Sequence, residues 1–430
     1  MDNDSISPVD GRYATETSAL RRYFSERGLD EERAKVELAY LRLLVELGIA
    51  PRTKVPNLSF SMARVKSIER RVGHDVKAVE LFVRESLKAE GAAILAPYVH
   101  LGLTSEDTNS VAYARLLSGA LNERVVPAYR GLALALSDVA VSEAGSIMLA
   151  RTHGRPALPT TFGKEIAVFA VRFAERTSVL QRLRPMAKFS GAVGTYASFE
   201  LISRREWPSI LERFVKKMGL DYATYSTQVV PGERLSDILH VVVNMNQLVI
   251  SLARDLWMYQ MLDYIHFERP GKVSSSTMPQ KVNPVDLENA EGQAEVSNAI
   301  LTMAAYRLQT TRLQRDLSDS VIRRTVGQGI THSFLACMRL RDSLRSLRVN
   351  RRGMRSDLSA HPEVYAEALQ ISMRLAGDEK GFEKVKAMAD RGTISARSRS
   401  VHPRRAYVGA AKRLASACRV EVARILDGSS

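Results

Sequence analysis

Three stretches of this chain place proton-carrying or charged side chains where a helix would begin. The first is Lys272-Val-Ser-Ser-Ser-Thr-Met-Pro-Gln-Lys-Val-Asn-Pro284, lying between two long apolar-patterned segments. It runs three hydroxyls, a Pro, a cation and an amide before a second Pro opens a helix, and loops of this size carry function more often than packing. Taken alone, a serine-rich loop is more often a solvated linker. The second, Ala150-Arg-Thr-His-Gly-Arg-Pro-Ala-Leu-Pro159, sets His153 in a Gly- and Pro-rich turn just before a helix. An imidazole there is accessible and its pKa is movable, although a lone His is more often structural or simply exposed. The third is His100-Leu-Gly-Leu-Thr-Ser-Glu-Asp-Thr-Asn109, where Thr104 has the form of an N-cap followed by an acidic first turn. Capping and ligand binding are equally good readings of it.

The elements that must position these stretches are helices. Glu31 to Leu47 carries Ala34, Leu38, Leu41 and Val45 at the spacing of one buried stripe. Gly232 to Pro270 has no internal Gly or Pro, and a helix of that length would run about 50 Å. Leu287 to Thr311 and Thr161 to Leu183 read as two more long helices. Such helices need partners, so an elongated bundle is expected from about residue 104 to 345. Apolar residues around several faces of the 235–265 helix predict burial inside a large bundle or between subunits. Strand signals are weak: Val229-Val230 stops at Pro231. Pro51 to Phe60 reads as loop, and Arg348 to Asp357 as a charged connector into a smaller C-terminal unit.

At 430 residues the chain exceeds what one core usually supports, so two or three packed units are expected. No apolar run reaches membrane-spanning length, and the polar, acidic start Met1-Asp2-Asn3-Asp4-Ser5 is unlike a signal peptide, so a cytoplasmic location is expected. Cys337 and Cys418 stand far apart and form no disulfide or CxxC pattern. The net charge of +15 raises a nucleic-acid reading. Residues 341–430 hold 19 Lys/Arg against 10 Asp/Glu, which is +9 of that excess, without a basic block interleaved with aromatics. A solvated basic face that helps attract an anionic substrate is the better account. No nucleic-acid or membrane partner is expected.

The loop Ser274-Ser-Ser-Thr-Met-Pro-Gln-Lys-Val-Asn-Pro284 resembles the GSSxMPxKxNP signature of the fumarase/aspartase superfamily. Those lyases remove a proton next to a carboxylate, expel a leaving group from the neighbouring carbon and release fumarate. The resemblance implies Ser275 as general base, with Ser276, Lys281 and Asn283 around the substrate. A serine is a poor base at its free pKa, so the role calls for Lys281 and backbone N–H groups to stabilise its alkoxide and the dianionic intermediate. The helix start after Pro284 suits that purpose. Arg151 to Glu165 is similar to the second signature, RTHGxPAxPxTxGKE, which implies that His153 protonates the departing nitrogen while Thr152 and Lys164 place substrate or loop. The GxTSxDxN likeness adds Thr104 and Ser105 as ligands of a substrate carboxylate.

Other segments resemble the adenylosuccinate lyase branch of the superfamily. Ser7-Pro-Val-Asp-Gly-Arg-Tyr13 looks like its SPxDGRY opening, which implies nucleotide contacts for Arg12 and Tyr13. His74-Asp75-Val-Lys-Ala-Val-Glu80 looks like HDVxAVE, with the His near the substrate's charged groups. Gln228 matches a substrate-binding Gln, and Asn289, Arg315, Ser320 and Arg324 match positions that hold nucleotide or phosphate. Guanidinium forks and hydroxyls are what a phosphate requires. Ser274, Gln280, Gly73 and Thr195 depart from the pattern and leave the base, the acid, Lys281 and Asn283 in place.

The resemblance therefore implies an all-α chain in three parts: an N-terminal helical domain (1–103), a central long-helix bundle (104–345) and a C-terminal helical domain (346–430). It implies β-elimination of fumarate from adenylosuccinate to leave AMP, and from the succinyl-carboxamide ribotide of purine synthesis. The motifs lie far apart in sequence, and in the superfamily they meet in a homotetramer with shared active sites. Neither metal nor cofactor is expected, since no His/Cys/carboxylate group has ligand spacing and no Gly-rich phosphate loop is present. Rival readings are another fumarate-releasing lyase (argininosuccinate lyase, fumarase, aspartase), a carboxymuconate cycloisomerase, and a non-catalytic helical scaffold derived from the same fold.

Overall fold

The computed structural model describes residues 4–268, 277, 278, 280–394 and 407–428, so Ser275 and Ser276 lie outside the described residues. The N-terminal third contains α1 (Glu26–Glu46), α2 (Met62–Val72), α3 (Asp75–Ala89), α4 (Ser105–Ala120) and α5 (Val126–Ser142). A hairpin of β1 (Ile147–Thr152) and β2 (Arg155–Thr161) leads into α6 (Phe162–Arg182). Then come β3 (Met186–Ala187), α7 (Ala197–Ile202), α8 (Trp207–Lys217), β4 (Asp221–Tyr222) and the long α9 (Glu233–Met261). Next are β5 (Ile265–Phe267), α10 (Val285–Arg307), α11 (Ser318–Ser346) and β6 (Leu347–Val349). The chain closes with α12 (Arg351–Ala360), α13 (Ala366–Leu375), α14 (Gly381–Asp390) and α15 (Ala411–Asp427). The fold is all-α, its strands among the described residues being three short pairs: β1–β2 and β5–β6 antiparallel, β3–β4 parallel.

The helices begin where the side chains dictate. Ser25 caps α1 by accepting from the Gly28 N–H at 3.1 Å, and Gly73, with φ of 69°, ends α2 in the left-handed conformation. Two segments differ from their sequence reading. The helix expected to run to Pro270 stops at Met261, because Asp263 turns left-handed (φ 56°) and Asn350 takes over the chain. Its side chain donates to the Asp263 carbonyl at 2.9 Å and its N–H to the Tyr264 carbonyl at 2.8 Å. For the same reason Arg348–Asp357 is not a connector: it supplies the end of β6 and most of α12. The β1–β2 hairpin also escapes a reading by alternation, since Pro156 and Pro159 interrupt β2.

The chain divides into two compact units that interleave along the sequence. The first comprises Met1–Pro127, Val179–Asn244 and Val296–Leu335. Its core holds an aromatic cluster in which Phe189 lies 5.3 Å from Tyr40 and 5.1 Å from Phe214, ring centre to ring centre, with Trp207 at 5.4 Å from Phe199. The second comprises Ala128–Ser178, Met245–Glu295 and Ala336–Ser430. There Tyr129 stacks on Phe173, Phe162 meets Tyr259 edge-on, and Leu149, Leu358 and Val364 form an apolar cluster under the hairpin. Both cysteines are buried in the folded chain. Two helical stretches, Ser105–Ser142 and Glu233–Met261, are long and apolar enough to cross a membrane by length and composition, although no uninterrupted run in the sequence is. Half or more of each apolar window is buried inside the protein, so core packing accounts for the composition.

Candidate active site

Eight of the side chains singled out from the sequence line one cavity of the first unit, about 760 Å³ in volume: His74, Asp75, Thr104, Ser105, Gln228, Arg315, Ser320 and Arg324. That volume suits a small-molecule ligand. Three helices begin at its wall. His74 caps α3, its Nδ1 accepting from the Lys77 N–H at 3.3 Å, which leaves Nε2 to act as a donor. Thr104 precedes α4, where Asp107 accepts from the Thr104 N–H at 2.9 Å. Ser320 sits in the first turn of α11. Helix starts present unpaired N–H groups and a partial positive charge, so three together favour an anion.

The side-chain charges are paired in alternation. Buried Arg33 reaches Asp30 at 2.8 Å, Asp75 at 2.9 Å and the Asn109 carbonyl oxygen at 2.9 Å. Arg324 meets the same Asp75 carboxylate at 2.8 Å. Burial alone would raise the Asp75 carboxyl, but Arg33, the Val76 N–H and Arg324 outweigh it and hold its pKa down at about 2. Arg315 donates to Glu106 at 3.2 Å and to the Gln228 carbonyl oxygen at 3.1 Å, while Gln228 donates to the Ala192 carbonyl at 2.9 Å. Guanidinium groups held this way are fixed before a ligand arrives, which lowers the ordering cost of gripping it.

The loop after β3 completes the wall through Ala192 and Val193. It hangs on a fully buried pair, Lys188 and Asp107, 2.7 Å apart. Lys188 also donates to the Gly191 carbonyl at 2.7 Å, and Asp107 accepts from the Ser190 and Gly191 N–H groups at 2.9 and 3.2 Å. Gly194 ends this loop with φ of 80°, and a Cβ there would meet the Ser226 carbonyl at 2.0 Å, so only glycine fits. Behind Thr104, His100 bonds Glu37 at 2.6 Å and Thr108 donates to the same carboxylate at 2.8 Å. Burial opposes charging of His100, but Glu37 prevails and its pKa lies above the ordinary value.

The other predicted site residues lie elsewhere. Arg12 and Tyr13 belong to the first unit, in the run of tight turns around Ser7–Thr17, and do not line this cavity. Thr152 and His153 are exposed at the hairpin tip of the second unit. His153 and Gly154 have φ of 53° and 73°, the pattern of a two-residue type I′ turn. Lys281 is exposed and Asn283 half-buried just before α10, and Asn289 is half-buried within that helix. The sequence reading missed Arg33, Glu106, Asn109, Tyr113 and Arg323, all on the cavity wall. Glu106 and Asn109 stood inside a segment already singled out, whereas Arg33 gave no signal beyond Asp30 three residues before it. Among the described residues, no group of three or more His, Cys, Asp or Glu side chains could hold a metal ion.

Solved structures give the fold. The fold matches a fumarate lyase from Mesorhizobium sp. BNC1 (TM-score 0.77, 20% identity, 94% of this chain and 97% of that one). It also matches a 3-carboxy-cis,cis-muconate lactonizing enzyme from Pseudomonas putida (TM-score 0.75, 22% identity, covering 95% and 96%). These establish a fumarase/aspartase-type architecture. Family profiles described as "Lyase" and "Adenylosuccinate lyase C-terminal" match residues 11–296 and 311–402. The adenylosuccinate lyase of Escherichia coli K12 is 37% identical over 405 residues, 89% of this chain and 88% of that protein. The corresponding enzymes of Haemophilus influenzae and Dictyostelium discoideum are 36% and 34% identical, each over 89% of this chain and 88% and 87% of theirs. The chain belongs to the adenylosuccinate lyase family, the carbon–nitrogen lyases of this superfamily.

Proposed function

We propose that the chain cleaves adenylosuccinate to AMP and fumarate, and cleaves the succinyl-carboxamide ribotide in the same way. The observation that carries this reading is the cavity of the first unit. Arg33, Arg312, Arg315, Arg323 and Arg324, three helix starts and the hydroxyls of Thr104, Ser105 and Ser320 face one space. That set suits an anionic nucleotide, with Arg315, Ser320 and Arg324 on phosphate and Thr104 and Ser105 on a carboxylate. Gln228, His74 and Asp75 orient the remainder, and Arg12, Tyr13, Asn283 and Asn289 complete nucleotide and succinyl contacts.

In the proposed reaction Ser275, as its alkoxide, takes the proton from the carbon next to a carboxylate. The C–N bond then breaks with its electron pair on nitrogen, and His153 returns a proton there. Lys281 and Ser276 stabilise the dianionic intermediate, which no metal or cofactor assists. Completion of each site by neighbouring subunits of a homotetramer, a cytoplasmic location and the three-part division at residues 103 and 345 belong to the same proposal. Fumarate release from purified protein tests it, with adenylosuccinate, argininosuccinate and malate offered separately. Turnover of adenylosuccinate supports the reading, and fumarate from argininosuccinate alone ends it.

A further inference from the structure

The C-terminal region carries none of the signature motifs, yet its first helix is fastened to the hairpin that bears His153. Two arginine forks run in opposite directions between them. Arg351 of α12 reaches back to Glu143, in the turn between α5 and β1, at 2.7 and 3.2 Å, and to the Ser146 hydroxyl at 3.0 Å. Arg151 of β1 reaches forward to Asp357 of α12 at 2.7 Å and to the Tyr264 hydroxyl at 2.9 Å. The Tyr264 hydroxyl closes the triangle by donating to Asp357. Burial, with help from Asp357, pushes the fully buried Tyr264 hydroxyl up to about 12, so it remains a donor. Between the forks, Leu149 of β1 packs on Leu358 and Val364. Arg151 lies two residues before His153, whose left-handed backbone costs about 1–3 kcal/mol and persists only where the surroundings over-determine it.

We propose that Asp357 is a positioning residue for His153, acting through Arg151. Holding Arg151 at two points fixes the register and twist of β1 where it enters the turn, and so fixes where the imidazole projects. The inference rests on His153 being the general acid. Displacement of a reacting group by about 1 Å costs on the order of 100-fold in rate, so partial loosening of this clamp shows in kcat before it shows in binding.

The test compares Asp357→Asn, Asp357→Glu, Arg151→Lys and His153→Gln in the full-length enzyme, by steady-state kinetics on adenylosuccinate and thermal unfolding. Asp357→Asn and Arg151→Lys are expected to lower kcat about 10-fold with KM within about twofold of wild type. Asp357→Glu restores most of the loss, because it keeps the charge that Arg151 grips. Should these variants fold poorly, Tyr264→Phe removes one brace from the clamp and is expected to lower kcat about threefold at unchanged KM. If His153→Gln is inactive while Asp357→Asn, Arg151→Lys and Tyr264→Phe keep wild-type kcat, the positioning role is overturned and the acid assignment stands. An active His153→Gln removes the acid assignment and the inference with it. Loss spread evenly over kcat, KM and folded fraction marks a merely structural clamp and also overturns the proposal.

Discussion

The cavity of the first unit and the hairpin of the second hold their functional candidates in different ways. In the cavity these guanidinium groups are restrained by opposite charges: Arg33 and Arg324 by Asp75, Arg315 by Glu106. Those carboxylates are the groups an incoming phosphate must rival, so the pocket is rigid and polar before it is filled. Among the described residues, no opposite charge pairs with the imidazole at the hairpin tip. It relies on backbone geometry, with two successive residues at positive φ and a strand clamped from behind. In the cavity, charge pairing acts on the proposed ligand contacts themselves; at the hairpin it acts from behind, through Arg151 and Arg351, and the turn backbone carries the proposed proton donor. Mutations should therefore separate binding from chemistry according to region.

The largest effect is expected at the hairpin. Asn-Gly is the preferred pair for a type I′ turn, and Asn tolerates left-handed backbone better than other non-glycine residues. His153→Asn should therefore leave thermal stability equal or raise it by up to about 1 kcal/mol. Its kcat should fall by about 10²–10⁴-fold, the usual worth of a general acid. Paired calorimetry and kinetics decide the matter, and a variant that is both active and less stable would show that neither the turn nor the acid has been read correctly.

At the cavity the counterpart is Lys188. Removing one member of a fully buried ion pair strands the other charge, at a cost of about 3–5 kcal/mol. Lys188→Met should lose that much stability in denaturant titration and loosen the 190–194 loop, which loses the Lys188 bond to the Gly191 carbonyl. A loss below about 1 kcal/mol would mean that water reaches the pair. Arg324→Ala is milder. It removes one of two cations on Asp75 and one proposed phosphate contact, so KM should rise about 10- to 100-fold with a smaller fall in kcat. A fall confined to kcat would move Arg324 from the binding role to the chemistry.

The two regions also differed in how readable they were. Long helices were legible because their signal is local: Thr161–Leu183 appears as Phe162–Arg182 and Leu287–Thr311 as Val285–Arg307, from apolar spacing and flanking Pro or Gly. The helix start at Thr104 was legible as a cap and as a motif position at once, whereas His74 was legible as a motif position and its capping of α3 was not. What escaped depends on partners far along the chain. Arg33 matters because Asp75 and Asn109 come to it, and α9 ends at Met261 because Asn350 meets the turn. Neither local spacing nor propensity records such pairings. The hairpin was hidden for another reason, since its prolines suppress the alternation that announces a strand, and only the His-Gly pair at its tip marks the turn.

The smallest effect sharpens the same contrast through pH. His100 stands behind the Thr104 helix start on Glu37, and its pKa is raised in the folded chain although burial opposes the charge. A histidine raised on folding contributes stability that is fully present below its unfolded value near 6.5 and is lost as pH rises through the higher folded value. Wild type should therefore be more stable than His100→Gln near pH 6, with the gap narrowing as pH climbs past the folded pKa. Asp75 works in the opposite sense: held down at about 2, it contributes above its unfolded value of 3.8 and loses that contribution as pH falls toward about 2. Of these two contributions only that of His100 changes near neutrality, so the difference between melting curves of wild type and His100→Gln taken from about pH 6 to about pH 9 isolates it. A gap that stays constant, or widens with pH, would show that the imidazole on Glu37 is neutral throughout and that this part of the wall is held by hydrogen bonding alone.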